Sequence, residues 1–209
     1  MKKLSLIIAS LLVLAGLAFL FLNWKRAGVA QHDYYARVFP HPKPAYDLKL
    51  TDQNGKPFRL DQLRGKLVLL TFGFTHCPNI CPTILGNLAA VYRELSPDEQ
   101  KQTQVVFVSV DPERDTPKVL MEYIPAFNES FIGLTGSAEQ IKKAAKGYDV
   151  FYEKEFQPSK VANNYYTINH SSYIYVIDPQ GKWVALYDYD QLIQTEKIAH
   201  DVKRFLSSQ

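Results

Sequence analysis

Thr71-Phe-Gly-Phe-Thr-His-Cys-Pro-Asn-Ile-Cys-Pro82 is the stretch on which the reading of this chain turns. It is preceded by Leu67-Val-Leu-Leu-Thr-Phe72, a continuous apolar run of strand length, as expected for a strand buried on both faces. It is followed by Ile84, Leu85, Leu88, Val91 and Leu95, which recur at helical spacing. Proline is tolerated only in the first turn of a helix, so Pro82 places the helix start at about Cys81. The two cysteines therefore sit on the loop and first turn of a strand-to-helix junction. Backbone N–H groups and the dipole at a helix N-terminus favour thiolate over thiol. A pair of thiolates selects copper(I), zinc or iron–sulfur chemistry over hard cations.

Outward from the motif, strand and helix patterns alternate. Upstream, Tyr46 to Leu50 and Pro57 to Leu60 flank Asp52-Gln-Asn-Gly55, a hairpin signal. Downstream, Val105 to Val110 reads as a second buried strand. Thr116 is a plausible N-cap with Pro117 at the first helical position. Leu120, Tyr123, Ile124 and Phe127 mark that helix, and Phe131 to Leu134 a short strand. Ser137-Ala-Glu-Gln140 opens a third helix with a capping box. Tyr173 to Ile177, the turn Asp178-Pro-Gln-Gly181 and Trp183 to Tyr187 form a closing hairpin. Leu192, Ile198, Val202 and Phe205 mark a final helix. The fold class is α/β, a central sheet with helices on both faces and an extra N-terminal β-hairpin. A cysteine pair at a strand–helix junction in that pattern reads as thioredoxin-like.

Two cysteines make an incomplete metal site. Of the five histidines, His32 and His41 lie in a proline-bearing stretch and His200 in the last helix. His76 directly precedes Cys77, and in an extended loop their side chains point apart. His170 lies in Asn163-Asn-Tyr-Tyr-Thr-Ile-Asn-His170, a polar loop entering a buried strand. In a thioredoxin-like sheet that loop returns beside the cysteine-bearing helix. From the residues alone, a structural disulfide, a zinc site of two thiolates and one imidazole, and a backbone-satisfied loop histidine all stay open.

The formal charge of +3 arises at the N-terminus. Of 24 basic residues, Lys2, Lys3, Lys25 and Arg26 flank an apolar run, which leaves 20 against 21 acids, a net of −1. No nucleic-acid footprint follows from that balance. Leu4 to Leu22 is 19 residues without a charge. As a helix it spans about 28 Å, close to the roughly 30 Å of a hydrocarbon core. A cleaved signal peptide has a shorter apolar stretch. Residues 1–26 are expected to be one uncleaved transmembrane helix with its flanks, 27–44 an extended linker, and 45–209 the folded domain. Two cysteines four apart exclude a disulfide-rich scaffold.

Three motifs in order carry a resemblance: Phe72 to Pro82, then Val108-Ser-Val-Asp-Pro-Glu-Arg-Asp-Thr-Pro117, then His170-Ser-Ser-Tyr173 before Asp178-Pro-Gln-Gly181. Over about residues 42 to 206 the chain resembles the Sco/SenC family. That resemblance implies a thioredoxin-like domain anchored by one helix, with copper held by Cys77, Cys81 and His170. Asp111 and Asp115 fall in the family's acidic loop near the site. The client implied is subunit II of cytochrome c oxidase, with its dinuclear copper centre, and a copper donor and a thiol reductant are expected alongside it. A short N-terminus without an Arg/Ser-rich transit segment points to a bacterial inner membrane with the domain in the periplasm. Asn79 and Asn169 depart from the resemblance, which puts acids there. The expectation is weaker retention of copper(II) relative to copper(I). A membrane-anchored thiol-disulfide oxidoreductase acting on the client's cysteines is the alternative.

Overall fold

The computed structural model describes residues 34–156 and 166–208, together with Leu14, Gly16, Leu17 and Phe19. The expected anchor over 1–26 otherwise lies outside the described residues. Among the described residues no helix is long and apolar enough to cross a membrane.

Two strands form the centre: β4 (Leu67–Gly73) and β5 (Thr103–Ser109), each with all seven residues buried. They run parallel in unbroken register, Leu67 opposite Thr103 through Gly73 opposite Ser109. The continuous apolar runs in the sequence thus become strands covered on both faces. Around them lie β1 (Arg37–Pro44), β2 (Lys49–Asp52), β3 (Pro57–Arg59), β6 (Ile132–Thr135), β9 (Ile174–Ile177) and β10 (Lys182–Tyr187). The sheet order is β1-β10-β9-β4-β5-β6-β2-β3, with β4, β5 and β6 mutually parallel and the other pairings antiparallel. The helices are α1 (Ile80–Arg93), α2 (Pro97–Lys101), α3 (Pro117–Tyr123), α4 (Ala138–Gly147) and α5 (Thr195–Ser207). The result is a thioredoxin-like mixed sheet with helices.

The two crossovers, β4-α1-β5 and β5-α3-β6, step the same way across the sheet, so right-handedness puts α1 and α3 on one face. The side chains agree. Tyr123, at the end of α3, packs on Phe107 at 6.1 Å between ring centroids. Tyr148, just past α4, packs on Phe72 at 5.7 Å and Tyr175 at 5.2 Å. Phe107 lies level with Thr71, the neighbour of Phe72, so Phe72 and Phe107 point to opposite faces. Helix α5 packs along α1.

Three features differ from the sequence reading. Residues 37–44 form β1, an edge strand on β10, where a linker was expected, so the folded unit starts by Tyr35. Its three prolines obscure it: proline is confined to edge strands and bulges because it cannot donate to a ladder. The loop expected before His170 includes β8 (Tyr166–His170), paired with β7 (Tyr152–Phe156) in a separate two-stranded sheet. Leu192 belongs to a 3-10 turn at Tyr189–Ile193 rather than to α5.

Asp201 of α5, 1% exposed, fastens β1 to the domain. Its carboxylate accepts from Tyr35 N (3.1 Å), Ala36 N (2.7 Å) and Tyr187 Oη (3.1 Å). Removing it strands two backbone donors and one hydroxyl, each costing about 1–3 kcal/mol when left unpaired under cover. Asp201→Ala is therefore expected to lower unfolding stability by about 3 kcal/mol, and Asp201→Asn by less, measured by urea denaturation. A change below about 0.5 kcal/mol, the scale of neutral surface substitutions, would show that β1 is held otherwise.

Candidate metal centre

Strand β4 stops at Gly73, and the chain turns through Phe74 to Asn79 into α1. Gly73 is required by a close approach: a Cβ there would lie 2.7 Å from Cys81 Sγ and 2.8 Å from the Phe107 ring. Cys77 is half-buried on the loop, and Cys81 is 1% exposed in the first turn of α1. From the other side of β4, β9 runs antiparallel with Ile174 opposite Thr71. The residues before Ile174 therefore emerge at the same sheet end as the cysteine loop.

His170, at the end of β8, meets the cysteines there. Cys77 Sγ, Cys81 Sγ and a His170 ring nitrogen all lie within 4.8 Å of one another, a group that could hold a metal ion. Among the described residues this is the one group of three or more such side chains. His170 Nε2 lies 3.4 Å from Cys81 Sγ, and its Nδ1 lies 2.9 Å from the Ser171 carbonyl. A carbonyl only accepts, so Nδ1 carries the proton and Nε2 turns its lone pair to the sulfurs. The Phe74 ring stands edge-on to the imidazole at 5.7 Å.

The two thiols are driven apart. A hydrogen bond from the Cys81 thiol, helped against burial by the His170 side chain and by backbone N–H groups of Cys81 and Asn79, holds Cys77 far below the usual thiol range. The same contact, with burial, pushes Cys81 far up. The pair thus favours a thiolate at half-buried Cys77 and a thiol at buried Cys81.

Asp111 and Asp115 are fully buried and are not part of the group. They frame it. Asp115 accepts from Thr75 N (2.9 Å), Thr75 Oγ1 (2.6 Å) and Ser109 Oγ (2.6 Å), which fastens the cysteine loop to β5. Asp111 pairs with Arg114 and accepts from Tyr166 Oη at 2.7 Å. Arg114 also donates to the Tyr166 carbonyl at 2.9 Å and lies 3.8 Å over that ring. Tyr166 opens the strand that His170 closes, so this network seats the histidine strand. Breaking one side of such a buried pair costs roughly 3–5 kcal/mol. The positioning roles of Thr75, Ser109, Arg114 and Tyr166 have no signal in the sequence, because they depend on contacts between distant segments. The remaining histidines stay apart from the group. His76 is exposed, with Nδ1 3.0 Å from Thr75 Oγ1. His200 is exposed on α5, His41 lines a separate cavity, and His32 lies outside the described residues.

The family described as SCO1/SenC matches residues 41–207. The chain belongs to that family. It is similar to the mitochondrial protein SCO2 of Saccharomyces cerevisiae, 40% identical over 161 residues, covering 75% of this chain and 52% of that protein. The chain thus spans about half the length of that relative. It is similar to the structure of Bradyrhizobium japonicum ScoI with copper bound: 34% identical, TM-score 0.69, covering 78% of this chain and 99% of the other. It is also similar to BsSco, described as a member of the Sco family of cytochrome c oxidase assembly proteins in which a disulfide switch was identified. That match is 25% identical, with TM-score 0.60, over 80% of this chain and 96% of the other. The Cys/Cys/His group of this SCO1/SenC chain is of a kind that could hold copper.

Asn79 and Asn169 line one shallow cavity of about 230 Å³ together with Cys77, Ile80 and His170. Carboxylates there would face the sulfurs and favour the more highly charged ion. The double variant Asn79→Asp/Asn169→Asp is expected to raise copper(II) affinity relative to copper(I) by about tenfold, read by parallel competition titrations. Unchanged relative affinities would show that the two positions do not act on the metal.

Proton linkage supplies a second expectation. Cys77 enters a metal site as the thiolate it already is, while Cys81 must first give up its proton. If copper(I) takes both sulfurs, that proton is released, so affinity should rise with pH. The check is the same competition titration at several pH values, and a flat profile would contradict the assignment of Cys81 as the thiol.

Proposed function

We propose that this protein is a copper metallochaperone that holds one copper through Cys77, Cys81 and His170. It delivers that copper to the dinuclear copper centre of cytochrome c oxidase subunit II. It is not an enzyme in the usual sense. The observation that carries the reading is the convergence of two sulfurs and an imidazole nitrogen within 4.8 Å. Soft sulfur and imidazole ligands suit copper(I). Three protein ligands leave a position that a client's ligand can enter, with the metal moving by exchange. Residues 1–26 anchor the chain as a single pass in a bacterial inner membrane and hold the domain beside its client on the periplasmic face. A copper donor and a thiol reductant act upstream.

A second reading has its own support in the half-exposed Cys77 thiolate beside the Cys81 thiol. In a thiol-disulfide oxidoreductase, Cys77 attacks a client disulfide and releases one client thiol. The Cys81 sulfur then attacks Cys77 and frees the other. The client leaves as a dithiol, and Cys77–Cys81 leaves as the disulfide. Those steps do not require His170 as a ligand.

The full-length protein in detergent, reduced and anaerobic, is titrated with copper(I) against a competing chelator. One tight equivalent is expected, abolished by Cys77→Ala or Cys81→Ala and weakened at least tenfold by His170→Ala. Absence of tight binding, or binding indifferent to His170→Ala, would move the assignment to the oxidoreductase.

A further inference from the structure

A second cavity lies away from the cysteines. It has a volume of about 520 Å³ and sits between β1 and the sheet face that carries Tyr148. That is within the roughly 300–1,000 Å³ typical of small-molecule sites. Its origin is a bulge. Val38 pairs with Ala185 and Lys43 with Trp183, so the arch Phe39-Pro40-His41-Pro42 leaves the ladder. Strand β10 is itself irregular against β9 between Trp183 and Ala185. Two bulges at one place open the sheet edge there. Prolines at 40, 42 and 44 make this edge a poor template for an added strand, so the opening suits a compact guest rather than an extended one.

The walls are aromatic: Phe39, Tyr148, Tyr173, Tyr175 and Trp183. The Trp183 ring meets Phe39 edge-on at 5.3 Å and Tyr175 at 5.1 Å. The rim carries Arg37 and Lys43 against Asp149, with His41 beside them. Lys43 is already engaged, 3.8 Å from Asp149 and 4.6 Å from the centre of the Trp183 ring. Arg37 is exposed, and the rim's one acid, Asp149, is paired with Lys43 rather than with it. A guanidinium presents a planar fork matched to a carboxylate. We infer that this cavity binds a small aromatic carboxylate, its ring among Phe39, Tyr173 and Trp183 and its carboxylate on Arg37. None of the three groups proposed to hold copper lines it.

Trp183 reports on the site directly, because Trp24 is the one other tryptophan in the chain. The full-length protein carrying Trp24→Phe is titrated in detergent with benzoate while Trp183 fluorescence is followed. A saturable change is expected with benzoate. Benzyl alcohol, which keeps the ring without the charge, and acetate, which keeps the charge without the ring, should each bind at least tenfold more weakly. Arg37→Gln and Phe39→Ala should each weaken benzoate at least tenfold while circular dichroism stays unchanged. No saturable response to benzoate up to about 10 mM overturns the inference. So does equal binding of benzyl alcohol or acetate, or a benzoate affinity indifferent to Arg37→Gln.

Discussion

Antiparallel pairing of β4 with β9 is the constraint behind the candidate metal centre. Thr71 stands opposite Ile174, so the chain leaving β4 and the chain entering β9 share one end of the sheet. Six residues beyond Thr71 is Cys77, and four before Ile174 is His170. Parallel pairing of the same two strands would send the two loops to opposite ends. The pairing is secured by burial: every residue of β4 and β9 is covered, and a one-residue slip would reverse which side chains face each layer. The distance between the sulfurs and the imidazole is therefore a consequence of the core, and only its last few ångströms are set locally.

Those last ångströms belong to two buried carboxylates. Asp115 ties the cysteine loop to the end of β5, and Asp111, through Arg114 and Tyr166, ties down the strand that carries His170. Ser109 joins them, donating to Asp115 and accepting from Asp111 N at 3.0 Å. Both acids come from the one short loop between β5 and α3. A single short segment thus braces both halves of the site. The carboxylates are acceptors already supplied with donors, which explains their burial and their absence from the ligand-capable group.

What was legible in the sequence follows the same division. The buried strands, the Thr116 and Ser137 caps and the strand-to-helix position of the cysteines were readable because each rests on local chemistry or on an apolar period. His170 was not decidable from its neighbours; the family resemblance supplied it, since its partners lie 89 residues away at Cys81 and farther at Cys77. Strand β7 escaped because Tyr152–Phe156 is a largely uncovered ribbon, and with neither face buried no apolar alternation is written into it. Strand β1 escaped because prolines mask an edge strand whose evidence lies elsewhere, in the Asp201 carboxylate that receives Tyr35 and Ala36.

Unequal cover over the three ligand-capable residues gives the site a direction. Cys81 is enclosed beneath Gly73 and Phe107, whereas Cys77 and His170 are half-open and border the shallow cavity with Asn79, Ile80 and Asn169. Among the described residues, that rim offers an incoming ligand from another protein a path past Cys77 and His170. Burial and the Cys77 contact favour the thiol form at the inner sulfur, so the most protected of the ligand-capable groups is the one that holds its proton hardest. A chaperone must retain its cargo yet yield it to a partner. One buried thiol and two accessible ligand-capable groups would meet both needs of the chaperone role proposed above, because exchange could start at the open side while the metal stayed attached within.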